Sequence, residues 1–227
     1  RDPEMSRGLG DVYKRQMKRL AKLTIACMLL AAAAAPNAAR GQEASAAERF
    51  AAQFAARSRS VESILCAFTE TRHMSVLADD VVRSGTFRYK RPARMALDFD
   101  SGDRIVMTGE LFLNRMAGRT TTARMNSNPM LRQMQSIFGA CMTGDLEALR
   151  QTGRMSVTPR EGGYRVVLIP ESRAARRYVS SITLDFDAAD MTLDRLRMEQ
   201  PSGDYTLYRF SRKRLNVAID DAAFDAN

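Results

Sequence analysis

Val81-Val-Arg-Ser-Gly-Thr-Phe-Arg-Tyr-Lys-Arg-Pro-Ala-Arg-Met-Ala-Leu-Asp-Phe-Asp100 is the stretch whose reading decides the fold. At period two, Gly85, Phe87, Tyr89 and Arg91 fall on one face of a strand, and Thr86, Arg88 and Lys90 on the other. After Pro92 the alternation resumes, with Met95, Leu97 and Phe99 on one side and Arg94, Asp98 and Asp100 on the other. Two adjacent strands therefore each offer a large apolar face, and an arginine stands beside the corner between them. Such a face is either one wall of a solid core or the lining of an apolar pocket with a charge at its edge.

Upstream, residues 46–63 are helical in character, with Phe50, Phe54, Val61 and Ile64 spaced for one face. Residues 65–74 shift to extended structure, since Phe68, Thr69 and Thr71 favour a strand, and Leu77-Ala-Asp-Asp80 is a polar turn. Downstream, Ser101-Gly-Asp103, Gly109-Glu110 and Ala117-Gly118 punctuate strands at residues 104–108, 111–116 and 119–125. This is an antiparallel meander with no βαβ crossover.

The pattern changes at Asn126-Ser-Asn-Pro129, a cap followed by a proline suited to a first helical turn. Met130, Leu131, Met134, Ile137 and Phe138 recur at helical spacing, Gly139 and Gly144 break it, and Asp145-Leu-Glu-Ala-Leu-Arg150 gives a second, short helix. Strands resume at residues 154–158, 163–169, 182–186, 196–198 and 205–210, and residues 216–224 close the chain. Helices set inside a β chain must pack on one face or across one end of the sheet. The fold class is mainly β, with helices (α+β).

Residues 17–41 read as a secretory signal, with Lys18, Arg19 and Lys22 ahead of an apolar run from Leu23 to Ala35 and a small-residue cleavage site at Ala39-Arg-Gly41. That run is too short for a membrane span, which needs about 20 apolar residues. Residues 1–16, ahead of a complete signal, read as translated adaptor or upstream read-through. One domain over residues 42–227 is the expected folding unit. Beyond residue 41 the balance is 27 Lys/Arg against 23 Asp/Glu. With no clustered basic stripe, nucleic acid is not an expected partner.

Cys66 and Cys141 follow the signal, and in an exported chain such a pair reads as a disulfide rather than two thiols. Cys66, His73 and Cys141 lack the dense spacing of a metal site. His73 reads as an ordinary strand residue. No Gly-x-Ser-x-Gly elbow, phosphate loop or dinucleotide fingerprint is present, so neither an enzyme nor a cofactor is expected. Eleven of the 14 methionines fall after residue 41, and there is no tryptophan. Each methionine alone reads as core filler, but the set favours an adaptable apolar surface. Arg91 has two readings: a strand-end arginine whose stem packs on Tyr89 while its head reaches water, or an inward arginine that needs carbonyls opposite it.

Phe68-Thr-Glu70 after a helix, Gly85-Thr-Phe-Arg-Tyr-Lys-Arg-Pro92, Met95-Ala-Leu-Asp-Phe99 and Ile105-Val-Met-Thr-Gly109 together resemble the outer-membrane lipoprotein carrier family (LolA-like). Gly203-Asp-Tyr-Thr206, Phe210, Asn216 and Phe224 resemble its ending, so the likeness runs over residues 46–224. The resemblance implies an incomplete β-barrel, one curved antiparallel sheet with helices as a lid over its open side. It also implies a monomeric, non-enzymatic periplasmic carrier that takes acylated lipoproteins, or a related lipid, from an inner-membrane exporter to an outer-membrane acceptor. Its cavity would be lined by Phe87, Tyr89, Met95, Leu97, Phe99, Met107, Met130, Met134 and Phe138. Arg91 would reach the lid helix and latch it. The missing tryptophan and the poor match over residues 125–153 depart from the family pattern. Relatives of this architecture also serve as sensor domains, the alternative function for this chain.

Overall fold

Period-two alternation builds eleven strands, and the computed structural model describes residues 37–125, 129–173 and 175–225. The leader at residues 1–16 and all but the end of the signal at residues 17–41 lie outside the described residues. The chain runs α1 (Asn37–Ser58), β1 (Ser63–His73), β2 (Val81–Lys90), β3 (Arg94–Phe99), β4 (Arg104–Met107), β5 (Leu111–Met116) and β6 (Arg119–Arg124). There follow α2 (Pro129–Thr143), α3 (Leu146–Gln151), β7 (Arg154–Arg160), β8 (Gly163–Ile169), β9 (Ser181–Asp187), β10 (Leu193–Glu199) and β11 (Tyr205–Leu215). Among the described residues, 3-10 turns also form at Ala175–Arg177 and Asp221–Phe224, and residues 43–227 form one compact unit.

All pairings are antiparallel, and each links sequence neighbours except one, where β1 pairs β11. The order is β6-β5-β4-β3-β2-β1-β11-β10-β9-β8-β7, a single curved sheet that does not close on itself. The ends of the sheet are thus mid-chain strands, joined through α2 and α3, while β1 and β11 sit at its centre. Both edges are blunted against further pairing. The polar residues of β6 are almost all exposed, and β7 carries Pro159.

Local chemistry sets the corners. The β5–β6 hairpin turns through Ala117 and Gly118, at φ 49° and 75°, the positive-φ pair that a two-residue hairpin needs. Asp145 caps α3, its carboxylate accepting from the Ala148 N–H. The Arg91–Pro92 peptide bond between β2 and β3 is cis.

Two expectations are corrected. The first helix ends at Ser58 rather than at residue 63, and Ile64, placed on its apolar face from spacing, is an inward residue of β1. Two overlapping apolar periods meet there, and strand pairing to Tyr89 decides the outcome. Gly139 does not break α2, which runs through it to Thr143, because one glycine in a packed helix costs only about 1 kcal/mol. Gly144, at φ 70°, marks its end instead.

Each face of the sheet has its own apolar cluster. On the inner face, α1 lays Ala46, Phe50 and Phe54 against the sheet, all fully buried. Phe50 and Phe54 stack at 4.9 Å, and both meet Phe186, at 5.3 and 5.0 Å. Ile137, Phe138, Ala140, Cys141 and Met142 of α2 and Leu149 of α3 join the same cluster. On the outer face Ala96, Val106 and Leu113 are covered by Ile219 and Phe224 of the C-terminal segment. Polar ties hold that segment down: Lys90 Nζ donates to the Ile219 carbonyl at 2.8 Å, and Arg94 pairs with Asp221 at 2.7 Å. Hydrogen bonds from Arg94 and Lys90 lower the Asp221 carboxyl to about 2. Among the described residues no helix is long and apolar enough to cross a membrane.

Candidate functional site

Antiparallel cross-strand partners share a face, so the register gives the inner surface row by row. One row reads Ile64, Tyr89, Met95, Met107 and Phe112, and the next reads Cys66, Phe87, Leu97, Ile105 and Asn114. A third, nearer the β1–β2 hairpin, holds Phe210, Phe68, Gly85 and Phe99. Phe87, Tyr89, Met95, Leu97, Phe99 and Met107 are all buried on this surface, and Phe138 packs into the same cluster from α2. Met130 and Met134 fall on α2, with side chains outside the described part.

At Gly85 on this face a side chain could not fit. A Cβ there would lie 2.1 Å from the Asp98 carbonyl oxygen and 2.9 Å from Phe68. The ring of Phe68, directly across the ladder, occupies the space and meets Phe99 edge-on at 5.1 Å.

The far end of the surface is a polar anchor that the sequence reading did not single out. Glu70 is fully buried and accepts from Arg83 Nε at 2.8 Å, Arg83 Nη2 at 2.5 Å, Arg72 Nη2 at 3.0 Å and the Tyr208 hydroxyl at 2.7 Å. Arg83 also lies 4.0 Å over the ring of Phe99 and 3.3 Å from Asp103. Burial pushes the Glu70 carboxyl up, but the Tyr208 hydroxyl, Arg83 and Arg72 outweigh it and hold it below its ordinary value. Burial, and then Glu70 itself, raise the Tyr208 phenol. The signal was in the sequence: in Ile64, Cys66, Phe68, Glu70 the acid takes the next inward place of an apolar alternation.

Arg91 stands at the opposite end. Its backbone N–H donates to the Glu62 carbonyl at 3.0 Å, and its Nε donates to the Val61 carbonyl at 2.6 Å. Glu62 Oε1 is 3.7 Å from Nε. This arginine therefore ties the β2–β3 corner to the segment leading from α1 into β1.

Cys66 and Cys141, read as a disulfide from the sequence, stand here as two buried free thiols, one on β1 and one on α2. Burial pushes Cys66 up to about 12, with Lys213 pulling the other way, and burial also raises Cys141. His73, on β1, has its Nδ1 2.8 Å from Asp80 and stacks on Tyr205, so it is a strand residue with structural partners. Among the described residues no group of acidic, cysteine or histidine side chains is set to hold a metal.

Among the described residues, small voids border the inner face. Two voids that border it measure about 10 Å³ each. One is lined by residues including Ile64, Cys141 and Met142, the other by residues including Ile64, Cys66, Phe87 and Met142. Each has room for about one water molecule, not for a lipid chain.

The family described as outer membrane lipoprotein carrier protein LolA matches residues 59–227, which takes in all eleven strands and both inserted helices. The chain belongs to the LolA family. No curated protein sequence matches the chain. Among solved structures, a DUF1329 family protein from Desulfovibrio piger matches at 11% identity and a TM-score of 0.47, over 82% of this chain and 98% of that one. A LolA superfamily protein from Nitrosomonas europaea matches at 11% identity and 0.40, over 79% and 97%. The Mycobacterium tuberculosis lipoprotein LppX matches at 9% identity and 0.38, over 76% and 99%. Membership in the LolA family makes this a chain of the outer-membrane lipoprotein carrier type.

Proposed function

We propose that this protein is a periplasmic carrier that binds the acyl chains of lipoproteins, or of a related lipid, on its inner face and moves them from an inner-membrane exporter to an outer-membrane acceptor. The observation that carries this reading is the apolar inner face, covered by helices that sit outside the strand ladder. Such a cover can withdraw without breaking a strand pair. The small size of the voids means that ligand and cover compete for one surface. An acyl chain gains about 0.8 kcal/mol per buried CH₂. Lifting Ile137, Phe138 and Met142 off the sheet costs roughly 1.5–3 kcal/mol for each side chain. The difference keeps binding reversible, which a carrier needs and a rigid empty pocket would not give.

Arg91 is the proposed latch. Its Nε already holds the Val61 carbonyl just past the end of α1, at the segment where the cover meets the sheet. Arg91→Leu is expected to take up acylated cargo or a hydrophobic dye and fail to release it to acceptor membranes. Transfer at the wild-type rate would count against the latch. For the carrier reading, mild extraction of the exported protein followed by mass spectrometry should find bound lipid or lipoprotein that moves on to acceptor vesicles. Binding without transfer, coupled to a changed affinity for a protein partner, would instead mark a lipid-sensing regulatory domain.

A further inference from the structure

Among the apolar rows of the inner face, two buried polar atoms have no hydrogen-bond partner among the described residues. One is the hydroxyl of Tyr89, a fully buried side chain in the row Ile64, Tyr89, Met95, Met107. The other is Oδ1 of Asn114, which shares its face with Ile105 in the neighbouring row. A buried hydroxyl without a partner keeps the full cost of its lost hydration, and phenylalanine would fill the Tyr89 site without that cost. Burial raises the Tyr89 phenol, with Arg91 opposing and Glu62 adding to the shift, so at neutral pH the oxygen keeps its proton and is a donor. Its cross-strand neighbours, Ile64 and Met95, are apolar. A bare alkyl chain entering there would leave both atoms unsatisfied.

We propose that Tyr89 is a ligand-recognition residue whose hydroxyl donates to the carbonyl oxygen of an acyl ester, so that the face selects acyl linkages over plain hydrocarbon. Asn114 Oδ1 is a second point on the same surface, open to a donor such as an amide or hydroxyl of the same lipid. This inference rests on the carrier reading and adds to it a residue that reads the acyl linkage itself. It also explains why a polar atom is kept at the end of the face beside Arg91, where the cover is held. The linkage region of a lipid would stop there while its chain runs on across Met95 and Met107.

The test compares a fluorescent diacylglycerol with its dialkyl ether analogue, which has the same chains and no carbonyl, on the intact exported protein. Wild type should bind the ester about tenfold more tightly than the ether, the ratio expected for one buried hydrogen bond. Tyr89→Phe should bind both at the ether level, with an unfolding midpoint equal to or above that of wild type. An ester preference that survives in Tyr89→Phe, or no preference in wild type, would overturn the assignment while leaving the carrier reading intact. Failure of wild type to bind either probe would overturn the carrier reading and this assignment with it.

Discussion

Glu70→Gln is the sharpest probe of how the inner face is anchored. In the folded protein, Oε2 takes both bonds from Arg83, while Oε1 takes those from Arg72 and Tyr208. Glutamine keeps the shape but replaces one oxygen with a donor. If its carbonyl stays with Tyr208, its NH₂ faces the Arg83 guanidinium and two charge-assisted bonds are lost. Breaking a buried ion pair costs about 3–5 kcal/mol. Arg83 is 20% exposed and Arg72 41%, which screens part of this. A loss of about 3 kcal/mol is therefore expected, or roughly 6–12 °C in the unfolding midpoint for a domain of this size. Urea unfolding followed by circular dichroism at pH 7 measures it. The pH dependence gives a second readout. The folded carboxyl sits below its ordinary 4.5, so its stabilisation is present above that value and is lost as the pH falls through the lower folded value. The gap between wild type and Glu70→Gln should thus narrow as the solution is acidified below about 4.5. A loss under about 1 kcal/mol at pH 7, or a gap that stays constant into acid, would refute the reasoning.

Two further outcomes follow from the packing. Gly85→Ala puts a methyl 2.1 Å from the Asp98 carbonyl oxygen, which forces β2 and β3 apart and should cost roughly 3 kcal/mol or more, read as a lowered unfolding midpoint. Cys66 and Cys141 should resist iodoacetamide in the folded protein near pH 8, since burial holds both as thiols, and both should react once denatured. Silence in denaturant until a reductant is added would show that the two are joined.

The strand at residues 81–90 was legible because a half-buried strand writes its orientation into the sequence. Gly85, Phe87 and Tyr89 alternate with polar residues, and the structure buries those three. Met95, Leu97 and Phe99 followed by the same logic, and turn residues marked most hairpins. What alternation could not show was Ala96 buried on the outer face, because its cover, Phe224, lies at the far end of the chain. The pairing of β1 with β11 was equally invisible to local pattern, as it joins segments more than a hundred residues apart. The helix boundary near Ser58 failed for a related reason, since Val61 and Ile64 fit a helical period until Tyr89 claims Ile64 across the ladder. The family resemblance supplied the single curved, unclosed sheet, but not this pairing of its first and last strands. The Glu70 anchor was readable in principle, but an acid in an apolar alternation announces burial only once its arginines are known to be inward too.

The unclosed sheet has a mechanical consequence. Its stiffness is concentrated at the centre, where β1 and β11 share a long ladder broken by one register shift between Leu65 and Ala67. Its compliance lies at the β6 and β7 margins, which are linked by helices and not by strand pairing. A load applied from within, such as a bulky molecule wedged under α2, would therefore spread the margins before it strained the spine. The strands nearest the chain termini act as the fixed frame, and the middle of the chain is the part that yields.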